Sequence, residues 1–347
     1  LLKCIEKGID FTQIDGLAFK VNGNIRVNPK TEYIENLDGL PFPARELLPM
    51  DKYQQINMPH GSIAKSTKNT TLITSRGCRA RCIFCSSTKF WGNRYRLRSA
   101  GNVLDEIEHL VKDYGIKEIH FEDDNLTLDK ERARQIFQGL IDRRINILWN
   151  APNGIALWTL DDDLLELMKR SGCYEFTMGI ESGDQQVLSK IIKKPLNLKK
   201  VEPLVKTMKR LKIRTRSVFI IGFPGETKVQ MRNTFNLAKK LRLQLADFFI
   251  ASPLPGTELY EICKGKGYLK KGFDFTELEF LNSTINTPEF SAEEVARLAA
   301  REYLIYNLGL MLRNPIGFFM RYGKTILQKP IFSIGMVVNK YLKKAIF

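Results

Sequence analysis

The chain has 347 residues, of which 44% are hydrophobic and 27% charged, and its 54 Lys and Arg against 38 Asp and Glu give a formal net charge of +16. These proportions exclude a disordered tail or a fibre, and the length predicts about two domains with a sizeable core. The positive charge suits nucleic acid, anionic lipid or an anionic substrate and does not choose among them. Six cysteines are too few for a disulfide scaffold in a chain of this length. We therefore expect a folded protein of a reducing compartment.

The beginning of the chain is polar and rich in turns. It has no initiator Met and no charged segment followed by an apolar core, so we expect no signal peptide and a chain that starts within a longer protein. The pair Asn22-Gly23 separates two strand-like pieces and predicts a hairpin. Pro41 and Pro43 are typical of an extended connector. We expect residues 1–66 to form a segment of their own that ends in a linker.

Residues 67–260 show an alternation of short apolar or β-branched runs with helical patterns. Such alternation predicts right-handed βαβ units and a parallel sheet. The predicted strands are 70–74, 118–121, 147–150, 175–178, 218–221 and 247–250, and the predicted helices are 103–114, 130–143, 162–170, 198–211 and 227–241. Six such strands predict an α/β fold, a partial (βα)6 TIM-like barrel, with its chemistry at the carboxyl ends of the strands.

The third predicted region, residues 261–347, is mainly helical and basic. From Tyr303 onwards it contains no acidic residue, and its seven basic residues are Arg313, Arg321, Lys324, Lys329, Lys340, Lys343 and Lys344. Aromatic and aliphatic residues lie between them, a composition suited to the surface of an anionic bilayer. The alternative is a helical cap whose apolar face covers the barrel. We expect a cytoplasmic protein, and the first interpretation adds peripheral contact with the inner face of the membrane.

Three cysteines, Cys78, Cys82 and Cys85, follow directly on the first predicted barrel strand. A loop at the end of a strand can curl around a metal centre, and three thiolates can hold three irons of a cubane cluster, leaving the fourth iron open for another ligand. A structural zinc site would require a fourth Cys or His nearby, whereas the next ones are His109 and Cys173. We therefore favour an iron–sulfur cluster over a zinc site or ordinary packing.

The spacing Cys-x3-Cys-x2-Cys, with Phe84 just before the third cysteine, resembles the signature of the radical S-adenosylmethionine (SAM) superfamily. The resemblance implies that Cys78, Cys82 and Cys85 bind a [4Fe-4S] cluster and that S-adenosylmethionine chelates the open iron. In that family an electron from the cluster cleaves S-adenosylmethionine and generates a 5′-deoxyadenosyl radical. The resemblance also implies an electron donor such as flavodoxin or ferredoxin.

Motifs at the ends of later strands resemble the same family. Glu122 and Asp123 follow the second strand, where the family places polar groups near the amino group of the cofactor. Glu181 resembles the residue that binds the ribose hydroxyls, and Ile221 the one that makes an apolar contact with the adenine. The plain alternative for Glu181, and for the polar residues just after Asp123, is a helix cap.

Residues 10–45 resemble the end of a cobalamin-binding domain and its linker, which one branch of the superfamily carries before the barrel. The cobalt-ligating motif Asp-x-His-x-x-Gly is absent at His60, His109 and His120. The resemblance therefore implies that cobalamin, where it is used, binds through a domain upstream of residue 1.

The function that we predict is that of a radical SAM enzyme which transfers a methyl group to an unactivated carbon of a small-molecule or lipid-like substrate, with cobalamin as methyl carrier. Radical cyclisation or oxidation without methyl transfer is the alternative within the branch. A basic, zinc-stabilised nucleic-acid-binding module is the alternative from another class. Such a module would explain the charge and the cysteines but not the ordered motifs at the strand ends, so nucleic acid is not the partner that we expect.

Overall fold

The computed structural model describes residues 1–57, 64–278, 282–313 and 315, and its contacts divide the chain into two compact units, Leu1–Leu40 and Pro41–Phe347. The smaller unit contains helix α1 (Leu2–Glu6) and strands β1 (Ala18–Val21) and β2 (Asn24–Val27). The two strands pair antiparallel and form the predicted hairpin. Asn22 and Gly23 both have positive φ in its turn, as a two-residue hairpin turn requires.

The larger unit contains the remaining strands and helices. Its strands are β3 (Asn69–Leu72), β4 (Ser75–Arg76), β5 (Arg96–Leu97), β6 (Glu118–Phe121), β7 (Leu148–Ile155), β8 (Cys173–Glu181), β9 (Arg214–Ile221) and β10 (Leu245–Ile250). Its helices are α2 (Met50–Ile56), α3 (Ser87–Trp91), α4 (Ala100–Tyr114), α5 (Lys130–Asp142), α6 (Asp162–Arg170), α7 (Val201–Arg210), α8 (Lys228–Leu241), α9 (Glu258–Gly265) and α10 (Ala292–Arg313).

Six strands form one sheet in the order β10-β9-β8-β7-β6-β3, and every neighbouring pair is parallel. This α/β architecture is the predicted partial barrel, and all six predicted strands are present. Strand β7 extends beyond its prediction through Pro152 and Gly154, residues that normally weaken a strand. The register between β7 and β8 shifts between Ala151 and Ile155, so a bulge accommodates them.

Side-chain caps mark the start of two helices between the strands, α5 and α6. Asp129 accepts a hydrogen bond from the backbone N–H of Arg132 at 2.9 Å, and Asp161 accepts one from Leu164 at 2.8 Å. Each cap satisfies an N–H that has no partner within the helix. Behind the sheet, Trp149 packs against Phe137 of α5 with ring centroids 4.8 Å apart. The apolar faces of the helices thus cover one side of the sheet and form the core.

Helix α10 covers the last strand. Phe248 of β10 packs against Phe219, Phe235 and Tyr306, and the Tyr306 hydroxyl donates a hydrogen bond to the carbonyl of Leu243 at 2.9 Å. The predictions for the basic tail begin at Tyr303, and most of that tail, residues 314 and 316–347, lies outside the described part of the chain. Among the residues that the structure describes, no helix has both the length and the apolar character that crossing a membrane requires.

A buried ion triad ties the proline-rich connector to α4. The carboxylate of Glu106, which is fully buried, lies 2.7 Å from the guanidinium of Arg45 and 2.5 Å from that of Arg98. Arg45 also donates to the carbonyl of Thr71 at 3.2 Å. Because removing one partner of such a group leaves an uncompensated charge in the interior, the triad fixes the path of the chain into β3.

Candidate functional site

Cys78, Cys82 and Cys85 line one cavity of about 190 Å³. The loop that carries them follows β3 and the short strand β4. The rest of the wall comes from residues at the carboxyl ends of β6, β7 and β8 and from the segment after β8. These lining residues include Asp124, Asn125, Asn153, Gly154, Ile155, Trp158, Gly179, Glu181 and Lys194. The cavity therefore lies at the end of the barrel where the strand topology predicts the chemistry.

Backbone hydrogen bonds hold the cysteine loop from both sides. The N–H of Ile83 donates to the carbonyl of Ile192 at 3.1 Å, and the carbonyl of Ile83 accepts from the N–H of Leu259 at 2.9 Å. The ring of Phe84, which also lines the cavity, packs against Phe223 with centroids 5.9 Å apart. These contacts give the three thiols a fixed supporting loop.

The thiols of Cys82 and Cys85 are protonated when nothing is bound to them. Burial raises the pKa of Cys82 to about 12, even though the ammonium of Lys194 opposes this shift. Burial also raises the pKa of Cys85. Since metals bind thiolates, the attachment of iron has to release these protons, and loading of the site is therefore favoured by higher pH.

The set of donors suits a cluster. In the described ranges, no three His, Cys, Asp or Glu side chains form a group that could hold a single metal ion. A cubane cluster makes a different demand, because each of its thiolate ligands binds a different iron. Three thiols that line one cavity from one loop meet that demand.

Glu181 ends β8 at an irregular point of the sheet. The register between β8 and β9 shifts between Gly179 and Glu181, and Glu181 has a left-handed φ of +65°. One carboxylate oxygen, Oε1, accepts from Lys194 Nζ at 3.1 Å, while Oε2 is buried and has no hydrogen-bond partner among the described residues. Buried acceptors nearly always have a donor, so Oε2 marks a place where a ligand hydroxyl fits. The left-handed φ of Glu181 is strained for a residue with a side chain, and such backbone strain is concentrated at functional sites.

Lys194 completes this wall of the cavity. It follows the π-helix Val187–Ile192, its side chain is only 10% exposed, and its ammonium lies 5.4 Å from the centre of the Trp158 ring. Burial alone would lower the pKa of Lys194, but the carboxylate of Glu181 raises it above the usual value, so the side chain is cationic. Sequence reasoning missed this residue, because its only signal is one Lys among several.

Some of the residues after β6 line the cavity, and another is buried behind it. Asp124 and Asn125 line the cavity, and Asn125 Nδ2 lies 3.9 Å from Cys78 Sγ. They are not caps of α5, since Asp129 has that role. Asp123 is fully buried behind them and accepts hydrogen bonds from Thr74 and Ser75, and burial raises the pKa of its carboxyl group.

The structure brings five of the predicted site residues together, namely Cys78, Cys82, Phe84, Cys85 and Glu181. Three others, Glu122, Asp123 and Ile221, are not part of the cavity wall. Ile221 lies on the same face of β9 as Phe219, the face that the helices cover, because alternate side chains of a strand share a face. The contact of these three residues with S-adenosylmethionine stays a prediction.

Comparison with known proteins agrees with this geometry. The model of the Radical SAM superfamily matches residues 72–238. The chain is 38% identical over 281 residues to cytidylyl-2-hydroxyethylphosphonate methyltransferase of Streptomyces wedmorensis, covering 79% of this chain and 52% of that protein. It is 34% identical over 308 residues to an uncharacterised methyltransferase of Pyrococcus horikoshii, covering 89% of this chain and 64% of that protein.

A solved structure shows the same fold. TsrM, a radical S-adenosylmethionine methyltransferase from Kitasatospora setae with cobalamin and a [4Fe-4S] cluster bound, matches with a TM-score of 0.59 and 18% identity over 77% of this chain and 52% of that one. The chain thus spans between half and two thirds of the length of these curated relatives. Residues 72–238 belong to the radical SAM superfamily, which implies a [4Fe-4S] cluster and S-adenosylmethionine as cofactors.

Proposed function

We propose that the chain is the catalytic barrel of a cytoplasmic radical SAM methyltransferase that uses cobalamin as methyl carrier and acts on an unactivated carbon of a small-molecule or lipid-like substrate. The observation that carries the proposal is the cavity that three thiols share with Glu181, whose buried Oε2 has no partner among the described residues. When bound, the cluster and S-adenosylmethionine supply the one-electron chemistry that a carbon of this kind requires.

The chain's own residues would bind and orient the cluster and S-adenosylmethionine. Cys78, Cys82 and Cys85 would hold three irons. Oε2 of Glu181 would accept hydrogen bonds from the ribose hydroxyls, because a carboxylate suits a vicinal diol. Phe84 and Trp158 give the cavity two aromatic walls that limit the access of water.

Methyl transfer is preferred to the other radical reactions because both curated relatives described above are named methyltransferases. The cobalamin bound to TsrM supports a cobalamin-dependent route. Cyclisation or oxidation without methyl transfer, and the zinc-stabilised module, are the outcomes that would replace this proposal.

Metal content tests the first half of the proposal. We expect anaerobic reconstitution to give about four irons and four sulfides per chain, as a cubane requires. Cys78→Ala, Cys82→Ala and Cys85→Ala should each lose reductive cleavage of S-adenosylmethionine. Cys173→Ala, which changes a buried thiol in β8, is the matched control and should retain the cluster. Stoichiometric zinc without iron in the wild-type protein would overturn the proposal.

Isotope transfer tests the second half. The reduced, cobalamin-supplemented protein is incubated with a metabolite and lipid extract and with S-adenosylmethionine labelled in its methyl group. We expect the label in one extract component together with S-adenosylhomocysteine and 5′-deoxyadenosine. Formation of 5′-deoxyadenosine with an altered but unlabelled component would assign cyclisation or oxidation instead.

A further inference from the structure

The sequence around the cysteine loop has an unusual charge distribution. Residues 52–104 contain no Asp or Glu. The same stretch contains ten basic residues, Lys52, Lys65, Lys68, Arg76, Arg79, Arg81, Lys89, Arg94, Arg96 and Arg98. Because this stretch has no acidic residue, its cations can form ion pairs only with residues outside it. The structure shows which of these cations have such partners or are buried, and which are exposed to solvent.

Several of these cations have structural roles. Arg98 belongs to the buried triad with Glu106, and Arg96 is itself buried. The guanidinium of Arg76 lies 5.5 Å from the Trp91 ring centre. Burial or a defined partner thus accounts for these side chains.

Three others, Arg79, Arg81 and Lys89, are exposed and form no hydrogen bond or ion pair through their side chains with any residue that the structure describes. Arg79 and Arg81 lie between Cys78 and Cys82 in the chain, and Lys89 lies in α3, directly after the loop. Phe90, beside Lys89, is 70% exposed. We call these four residues the basic face.

We propose that the basic face is the docking surface for an acidic one-electron carrier protein of the flavodoxin or ferredoxin type. The proposal rests on the proposed function, in which a cluster bound by the three cysteines must receive an electron. One electron leaves the reduced carrier and reduces the cluster from its 2+ to its 1+ state, and no atom is transferred. Cys78 and Cys85 are only partly buried, so a carrier docked on this loop lies beside the ligands of the cluster.

The composition of the face suits such an encounter. Complexes between electron-transfer proteins are small and short-lived. Unpaired cations steer an acidic partner to the surface and raise its association rate by about tenfold to a thousandfold at low salt. The exposed ring of Phe90, next to Lys89 in the chain, adds contact area without a large apolar patch.

The test compares two triple variants of the reconstituted full chain. Arg79→Glu/Arg81→Glu/Lys89→Glu reverses the charge of the basic face. Lys117→Glu/Arg144→Glu/Lys212→Glu is the matched control, because these exposed residues precede β6, β7 and β9 at the opposite end of the barrel and change the net charge equally. Stopped-flow absorbance follows the reduction of the cluster by an acidic flavodoxin in its hydroquinone state and, separately, by photoreduced 5-deazariboflavin, a small neutral donor.

We expect the face variant to react with flavodoxin at least about ten times more slowly than wild type at low ionic strength, with the difference shrinking in high salt as screening increases. The control variant should stay close to wild type, and the neutral donor should reduce all three proteins alike. Equal rates, or equal slowing in both variants, would overturn the docking surface alone. Absence of a reducible cluster with the neutral donor would overturn the proposed function. Loss of oligonucleotide binding in the face variant with an unchanged reduction rate would assign the surface to nucleic acid.

Discussion

The ammonium of Lys194 lies 3.1 Å from one carboxylate oxygen of Glu181, and both side chains border the cavity that the three cysteines share. Both partners are almost completely buried, so the ion pair fixes the carboxylate in one orientation. The other oxygen is buried and has no partner among the described residues. A ligand hydroxyl can bind there without any cost of reordering Glu181, which is the advantage of a preorganised site.

Glu181→Gln tests the role of this oxygen. The amide can still accept from Lys194, but its NH2 group replaces the acceptor that faces the ligand. We expect the binding of S-adenosylmethionine to weaken by about 1.5 to 3 kcal/mol, the range for hydrogen bonds to charged groups, with unchanged iron content. Calorimetric titration measures this. Glu258→Gln, which alters a surface pair with Lys193, is the control. Unchanged affinity of the Glu181 variant would limit Glu181 to a structural role.

Gly179→Ala tests how closely the carboxylate has to be placed. A Cβ at this position would lie 2.7 Å from Glu181 Oε1 and 3.2 Å from Lys194 Nζ. Since both are ends of flexible side chains, we expect them to shift with little loss of stability but with weaker binding of S-adenosylmethionine. Thermal denaturation and calorimetry separate the two effects. At Gly265, an added Cβ meets nothing within 4 Å, so Gly265→Ala should leave the affinity for S-adenosylmethionine unchanged. Wild-type affinity in Gly179→Ala would show that the site tolerates movement of the pair.

Glu106→Gln tests the buried triad. Removal of the charge leaves Arg45 and Arg98 without their carboxylate in the interior, and we expect the free energy of unfolding to fall by about 3 to 5 kcal/mol. Urea denaturation of the metal-free protein measures this loss. Glu108→Gln, two residues further along α4, changes a half-buried carboxylate with surface partners and should have little effect. Similar stability of the two variants would contradict the structural role of the triad.

Glu226→Gln tests a pH dependence of stability. Burial raises the pKa of Glu226 to about 8, against hydrogen bonds from the N–H groups of Phe223 and Gly222. The folded chain therefore binds a proton that the unfolded chain has lost between pH 4.5 and about 8, so stability should fall as pH rises through this window, by up to about 1.4 kcal/mol per pH unit.

The variant cannot titrate, so its stability relative to wild type should rise with pH across the same window. Urea denaturation at each pH from 5 to 9 gives the comparison. The exposed Glu289 provides the control substitution Glu289→Gln, whose curve should run parallel to that of wild type. Parallel curves for Glu226→Gln as well would show that the carboxyl group is ionised in the folded chain.

The sequence predicts most of the barrel because caps and apolar periodicity are local signals. Helix α6 starts and ends where its pattern predicts, at 162 and 170. Helix α7 begins at Val201 rather than 198, because residues 198–200 form a 3-10 turn. The extension of β7 through Pro152 could not be predicted, since a bulge that tolerates proline depends on the neighbouring strand.

For the site, the spacing of residues in the sequence is informative only where the predicted ligands share one loop. Cys78, Cys82 and Cys85 are such a group. Lys194 depends on a π-helix and on an ion pair with a residue 13 positions away, neither of which leaves a pattern in the sequence. The contact of Ile221 with adenine rests on resemblance alone and stays a prediction, and the side chain lies on the face of β9 that the helices cover.

The main sheet has two ends, β3 and β10, which share no hydrogen bonds in the part of the chain that is described. In a closed barrel the number of strands and their stagger fix the circumference, so a larger ligand would require a different barrel. An open sheet has no such limit. The width of its mouth can change through residues of β9 and β10, while the thiol-lined cavity at the ends of β3, β6, β7 and β8 keeps its shape. Ligands of different size can thus bind next to the same thiol-lined cavity.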